Sequence, residues 1–143
     1  MSTAFFNIVS AVVAQLGAAP AVCKSIHRAR TNVFPDQEAE AISVQFEQAV
    51  PAQGAIAGAP IDWTTRITVE CYARSVIESG DVAVDPLLER VAGRLAADPS
   101  LGGIVGDLVL AGVEAENTAE GKKTGWVRLV YVADHRTYNG NLS

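Results

Sequence analysis

The chain has 143 residues, 49% of them hydrophobic and 19% charged, a balance typical of a folded domain rather than a disordered chain. Its formal net charge of −5 argues against a protein whose whole surface grips nucleic acid, because phosphate binding needs a basic footprint. A local basic patch remains compatible with that charge. We therefore expect residues 1–143 to form a single domain.

The first predicted element is an amphipathic helix near the N-terminus. Ser2 or Thr3 is a suitable N-cap, and Gly17 and Pro20 stop the helix. Polar residues interrupt the apolar segment and no Lys or Arg precedes it, so it matches neither a signal peptide nor a membrane span. We expect the chain to fold in the cytoplasm. The apolar stripe of the helix consists of Phe5, Val9, Val12 and Leu16.

A basic strand and an acidic segment follow each other along the chain. Residues 22–31 alternate imperfectly and carry only positive charges, whereas the segment after them is rich in acids. Opposite patches of this kind suit head-to-tail contacts that close into a ring, because each contact joins two different faces. The basic residues are Lys24, Arg28 and Arg30, and the acidic ones are Asp36, Glu38, Glu40 and Glu47.

Two further strands are separated by a segment rich in Gly, Ala and Pro. Residues 41–49 alternate as a half-buried strand with Ile42, Val44 and Phe46 on one face, and residues 50–60 are predicted to form a loop. Residues 64–74 alternate most clearly. Ile67, Val69, Cys71 and Ala73 are predicted to face the core, with Arg66, Thr68, Glu70, Tyr72 and Arg74 on the other side.

The rest of the chain predicts a second helix and a hairpin. Asp85 is expected to cap the helix, with Pro86 in its first turn and Asp98 and Pro99 at its end; its buried face is Leu87, Leu88, Val91 and Leu95. Residues 103–116 and 125–138 then form a long antiparallel hairpin with an exposed tip. At ~3.3 Å per residue the last strand spans about 40 Å, so we expect part of the hairpin to project or to pack on another subunit.

The predicted order of elements is therefore α-β-β-β-α-β-β. Strands that follow one another in runs favour an α+β fold with a mixed, mainly antiparallel sheet and both helices packed on one face.

No catalytic or metal-binding motif is apparent in the sequence. A phosphate loop, a dinucleotide fingerprint and a paired Cys–Cys metal site are all missing, so we predict no cofactor and no metal. Cys23 and Cys71 lie in alternating runs typical of buried free thiols. A nucleophilic pair of Cys71 and His135 stays open as an alternative, since proximity in space cannot be seen from sequence.

Several segments together resemble the tail terminator, or tail completion, proteins of siphophages, the family of lambda minor tail protein U. These are the N-terminal amphipathic helix, the strand 64–74, the helix-containing run 85–103, the strand after it and the closing strand 126–138. The run from Asp98 through Gly103 into a long strand, and the ending Arg136, Thr137 and Tyr138, carry the resemblance position by position.

The resemblance implies an α+β subunit of the virion and no enzymatic activity. Such a subunit would form a hexameric ring on the last ring of the tail tube, stop tube polymerisation and present a surface to the head connector or completion protein. It would be assembled in the host cytoplasm, lie at the head-proximal end of the tail, avoid membranes, and touch DNA only where DNA passes through the ring. The partners implied are other copies of the chain, the tail tube protein and the head connector.

We expect particular charged residues to serve these contacts. Arg66, Glu70 and Arg74 are predicted to form lateral ion pairs, and Lys24, Arg28, Glu38 and Glu40 to lie in the same subunit interface. Lys122 and Lys123, at the hairpin tip, are predicted to dock an acidic partner or DNA, although two lysines also simply keep a tip soluble.

Three other functions remain open from the sequence. The chain can be a tail tube or head-completion subunit, which use similar small α+β folds. It can also be a small thiol-dependent enzyme that uses Cys71 and His135, or a DNA-contacting module whose basic residues are Lys24, Arg28, Arg30, Lys122 and Lys123.

Overall fold

A computed structural model describes residues 3–23, 25–28, 40–52, 60–74, 80–116, 124–138 and 142. Two helices and five strands follow one another in the order α-β-β-β-α-β-β, which confirms the predicted α+β class. Their bounds are α1 (Ala4–Gly17), β1 (Ser25–Arg28), β2 (Glu40–Ala52), β3 (Ile61–Arg74), α2 (Gly80–Ala97), β4 (Asp107–Glu116) and β5 (Thr124–Thr137).

The first helix forms as its apolar spacing predicts. Thr3 is the N-cap: its extended backbone precedes the helix, and its hydroxyl accepts a hydrogen bond from the Phe6 amide at 3.5 Å. Ile8 joins the predicted stripe and is fully buried. At the C-terminal end of α1, the Arg94 guanidinium of α2 donates to the carbonyls of Gln15 and Ala18. This guanidinium therefore satisfies carbonyls that the end of α1 leaves unpaired.

The second helix begins earlier than predicted, at Gly80, so Asp85 and Pro86 lie inside it and the predicted cap is wrong. Val84 explains the extension, because it is buried and continues the apolar stripe by one turn toward the N-terminus. Pro86 lacks the amide that would donate to the carbonyl of residue 82, and its ring crowds that carbonyl, so burial of the apolar stripe has to offset this local cost. The predicted end before Asp98 and Pro99 is confirmed.

The five strands form one sheet in the order β1-β2-β3-β5-β4. β1 runs parallel to β2, and every other pair is antiparallel. β3 and β5 are each 14 residues long and pair along their whole length, from Ile61 opposite Thr137 to Arg74 opposite Thr124. β4 and the short β1 are thus the two outermost strands.

Several predicted boundaries differ from the structure. β3 begins at Ile61 instead of residue 64, and β4 begins at Asp107 instead of residue 103. The first strand is confined to Ser25–Arg28 within the described residues, rather than 22–31. Residues 50–52 belong to β2 instead of a loop, and residues 53–59 lie outside the described part. β5 does not project, because β3 is equally long and pairs with all of it; the tip, 117–123, is outside the described part.

Both helices pack on one face of the sheet, and the core lies between them. Ile67, Val69, Cys71 and Ala73 of β3 point into this core, as predicted from their alternation. The opposite face, here called the open face, carries the other residues of each strand, including Arg66 and Glu70. On β3 that face is less exposed than predicted, since Thr68, Glu70 and Tyr72 are buried among neighbouring side chains.

Candidate functional site

Ion pairs cross three strands on the open face. The Arg128 guanidinium of β5 lies 3.0 Å from the Glu70 carboxylate of β3 and 3.7 Å from that of Glu114 on β4. Nearer the other end, Arg136 and Asp62 pair at 2.6 Å, and this contact lowers the pKa of the Asp62 carboxyl. These pairs lie within one subunit and hold neighbouring strands in register.

The charged residues singled out from the sequence do not form one cluster. Glu70 pairs with Arg128, Glu40 pairs with Arg90 of α2, and Arg28 is exposed on β1. Arg66 is exposed on the open face and has no ion pair within the described residues. Outside the described part lie Lys24, Glu38, Lys122, Lys123 and the side chain of Arg74. The interface roles of all these residues remain predictions.

The edge formed by β4, here called the β4 edge, carries exposed apolar side chains, and no other described strand pairs with its outer side. Val109, Leu110 and Val113 are 50%, 41% and 56% exposed, and the strand contains no Lys, Arg or Pro. Long apolar edges invite another strand, and proteins that stay monomeric usually block them with Lys, Pro or a covering segment. β4 has only a register shift between Leu110 and Gly112 and acidic side chains such as Asp107 and Glu114, which oppose edge pairing less than Lys or Pro does.

Two aspartates meet at the β4 edge. Asp107 lies directly opposite Asp134 of β5, and both are exposed. Neither has an ion pair among the described residues. Like charges directly opposite one another destabilise a strand pair, so this end of the β4 edge favours the arrival of a cation.

A second open edge lies at the other side of the sheet. β1 pairs only with Ala41–Val44 of β2, so among the described strands nothing pairs with the outer side of Gln45–Ala52, here called the β2 edge. Phe46 and Val50 on it are 37% and 51% exposed. Phe6 of α1 extends the apolar surface, with its ring centroid 6.5 Å from that of Phe46.

The sequence did not show these two edges. Alternation reports which face of a strand is buried, but not which strand ends a sheet, because strand order depends on contacts distant in sequence. The local signals were mixed. The absence of Lys, Arg and Pro from residues 107–116 is typical of a strand with neighbours on both sides, and Pro51 is typical of strands whose outer amides are unpaired.

A groove of about 770 Å³ lies where β3, β5 and the turn before β4 meet, and His135 contributes to its lining. The His135 Nε2 and the Thr65 hydroxyl are hydrogen-bonded at 2.5 Å, while the Nδ1 of His135 is buried and has no hydrogen-bond partner in the part of the chain that the structure describes. Burial lowers the pKa of His135, so the ring is neutral near pH 7. Thr65 is fully buried, which denies a substrate access to this hydroxyl. We interpret the pair as part of the packing.

The thiol pair considered from the sequence is not formed. Trp63 of β3 lies opposite His135, and Cys71 lies eight residues further along β3, about 26 Å away at ~3.3 Å per residue. Cys71 is fully buried, and burial raises the pKa of its thiol to about 12. Cys23 is buried too, and no disulfide joins the two. A buried thiol with a raised pKa is a poor nucleophile.

Neither a metal site nor a membrane helix occurs in the described part of the chain. No three His, Cys, Asp or Glu side chains there are grouped to hold a metal ion. No helix there is long and apolar enough to cross a membrane.

Comparison with known proteins shows a similarity of fold. No protein-family model and no curated protein sequence matches the chain. Its fold is similar to that of a chain in the solved virion of a native gene transfer agent particle, with a TM-score of 0.62 and 14% sequence identity. The similarity covers 95% of this chain and 100% of that one, so the two share their fold from end to end.

Proposed function

We propose that this chain is a structural protein of a phage-like virion and acts as a tail terminator. Copies form a ring, hexameric by resemblance to that family, which sits on the last ring of the tail tube. The ring stops tube polymerisation and presents its other side to the head connector. The chain performs no chemistry in this role, and its work is done by fit between surfaces.

The observation that carries this proposal is the end-to-end fold similarity to a chain of the gene transfer agent virion. That chain belongs to a virion particle, and the similarity covers 100% of it. Since a shared fold alone does not fix a function, the sequence resemblance to tail terminators supplies the more specific role.

The two open edges support a ring over a closed dimer. The β4 edge and the β2 edge lie at opposite sides of one sheet and differ in length and charge, so a contact between them joins two different faces. Contacts of that kind leave one free edge on each side after every addition. They generate a ring when the rotation between neighbours closes.

Tube growth in the presence of the chain tests the proposal. Purified tail tube protein of the same particle is allowed to polymerise with increasing amounts of the chain, and tube length is measured by electron microscopy. A terminator shortens tubes when present in far fewer copies than the tube protein, because one ring caps one end.

Other outcomes exclude the role. If the chain elongates tubes or polymerises alone into tubes, it is a tube subunit. If tube length is unchanged and the chain binds only the head connector, it is a head-completion protein.

A further inference from the structure

We propose that neighbouring copies join through their sheets, with the β4 edge of one copy pairing antiparallel to the β2 edge of the next. This inference rests on the proposed ring and names the two surfaces that build it. Its core is the juxtaposition of exposed Val109 and Leu110 on one edge with exposed Phe46 and Val50 on the other.

Strand direction favours this pairing over the alternatives. Within the sheet β2 runs antiparallel to β3, β3 to β5, and β5 to β4, so β4 runs opposite to β2. Rotation about a ring axis that lies along the strands preserves these directions. The β4 edge therefore meets the neighbouring β2 edge in antiparallel orientation, and the sheet continues across the contact.

Lengths and side chains of the two edges match. The β2 edge, Gln45–Ala52, offers eight residues, and β4 offers ten. Both carry half-exposed apolar residues on the open face, Val50 at 51% and Val109 at 50%. Pairing removes them from water and satisfies backbone groups that the edges leave unpaired.

Charge complements the apolar match. The β4 edge presents Asp107 beside Asp134, while the β2 edge has exposed Arg66 one strand inside it, opposite Gln48. None of the three is ion-paired within the described part of the subunit. The β4 strand contains three acidic residues and no basic one, so two β4 edges brought together repel each other, which disfavours a symmetric contact.

The sheet's own register places these charges near each other across the contact. Gln48, Arg66, Val132 and Val109 share one level across the sheet, and Val50, Thr64, Asp134 and Asp107 share another. When these levels continue into the next copy, Arg66 lies diagonal to the neighbour's Asp107. Two strand spacings, about 10 Å, and two residues along the strand, about 7 Å, separate their backbones by about 12 Å in all. An extended Arg and an Asp side chain together span this gap.

Mixing two blocked variants tests the pairing. Val50→Lys blocks the β2 edge and Val109→Lys blocks the β4 edge. Glu89→Lys, at an exposed position of α2, is the matched control. Circular dichroism first checks that each variant is folded. Native mass spectrometry then follows assembly up to millimolar protein.

We expect the wild type and Glu89→Lys to assemble and each edge variant alone to stay monomeric. An equimolar mixture of the edge variants gives a dimer and no larger species, because one intact edge of each kind remains. Assembly of Val50→Lys alone would mean that β4 edges pair with each other, and assembly of Val109→Lys alone would mean the same for β2 edges. Either result, or a wild type that stays monomeric, overturns the inference.

A charge exchange tests the same contact without a blocking lysine. Arg66→Asp and Asp107→Arg should each weaken self-association about fivefold or more, and the double variant should recover most of the loss. Asp107→Arg gains Asp134 as an intrachain neighbour, so it is not expected to unfold the subunit. Additive losses in the double variant would contradict the proposed ion pair.

The outcomes separate this inference from the proposed function. If the wild type caps tail tubes but the blocking and charge-exchange variants assemble as it does, the terminator role stands and the edge pairing is excluded. Edge pairing without any effect on tube growth would do the reverse.

Discussion

Burial of the Cys71 thiol predicts a specific loss of stability in alkali. Its pKa rises from the ordinary value of 9.0 to about 12, first because burial disfavours the thiolate and then because Cys23 and Glu70 oppose its charge. The unfolded chain gives up this proton more readily than the folded one. The contribution of this thiol to stability is therefore constant well below pH 9 and is lost as the pH rises toward 12.

The size of this effect follows from the two pKa values. Between about pH 8 and about pH 10.5, Cys71 alone should lower the free energy of unfolding by roughly 2 kcal/mol. Cys71→Ala removes this dependence, although the smaller side chain costs about 1 kcal/mol at every pH. Tyr131 also titrates in alkali, but burial is the first cause of its raised pKa and is common to both proteins, so its contribution largely cancels in the comparison.

Urea unfolding of both proteins at the two pH values measures the effect. The gap between them should shrink or reverse at the higher pH. Equal pH dependence for wild type and Cys71→Ala would refute the reasoning, as would rapid modification of Cys71 by a thiol reagent in folded protein at neutral pH. The second result would also revive the thiol-enzyme alternative.

Three other substitutions test the packing, each by chemical unfolding. Tyr131→Phe should raise stability by about 1 kcal/mol, because the buried Tyr131 hydroxyl has no hydrogen-bond partner among the described residues; a loss of that size would reveal a hydrogen bond to this hydroxyl. Arg94→Lys should cost about 2 kcal/mol, since one ammonium cannot replace the guanidinium that donates to three carbonyls at the end of α1, and an unchanged midpoint would contradict this. Glu70→Gln should cost about 1 kcal/mol by weakening the pair with Arg128, with a smaller gap in high salt; a gap that salt leaves intact would point to packing instead.

Regular periodicity allowed the core elements to be predicted from sequence. The alternation of residues 67–73 identified the buried face of β3, and the spacing of Leu87, Val91 and Leu95 identified that of α2. Both patterns depend only on local geometry and burial. The start of α2 was missed because Pro86 after Asp85 is typical of a first turn, and buried Val84 gave no separate signal.

The candidate assembly surfaces could not be predicted in the same way. Arg66 was singled out from sequence because it lies on the outer side of a strand, but its nearness to the β2 edge depends on β1 ending at Arg28. Asp107 was not singled out, because its position opposite Asp134 depends on the hairpin register. Glu70 looked equally available from sequence, yet Arg128 already pairs with it. These differences arise from pairings between residues far apart in the chain.

Imaging of tube ends tests the central claim most directly. Tail tubes grown with the chain, labelled by a small fused tag, should show one ring of extra density with the tag at a single end, and reconstruction of that ring should place the β4 edge of each copy against the β2 edge of the next. Tag density along the whole tube, or a bare end beside free monomeric chain, would contradict the account.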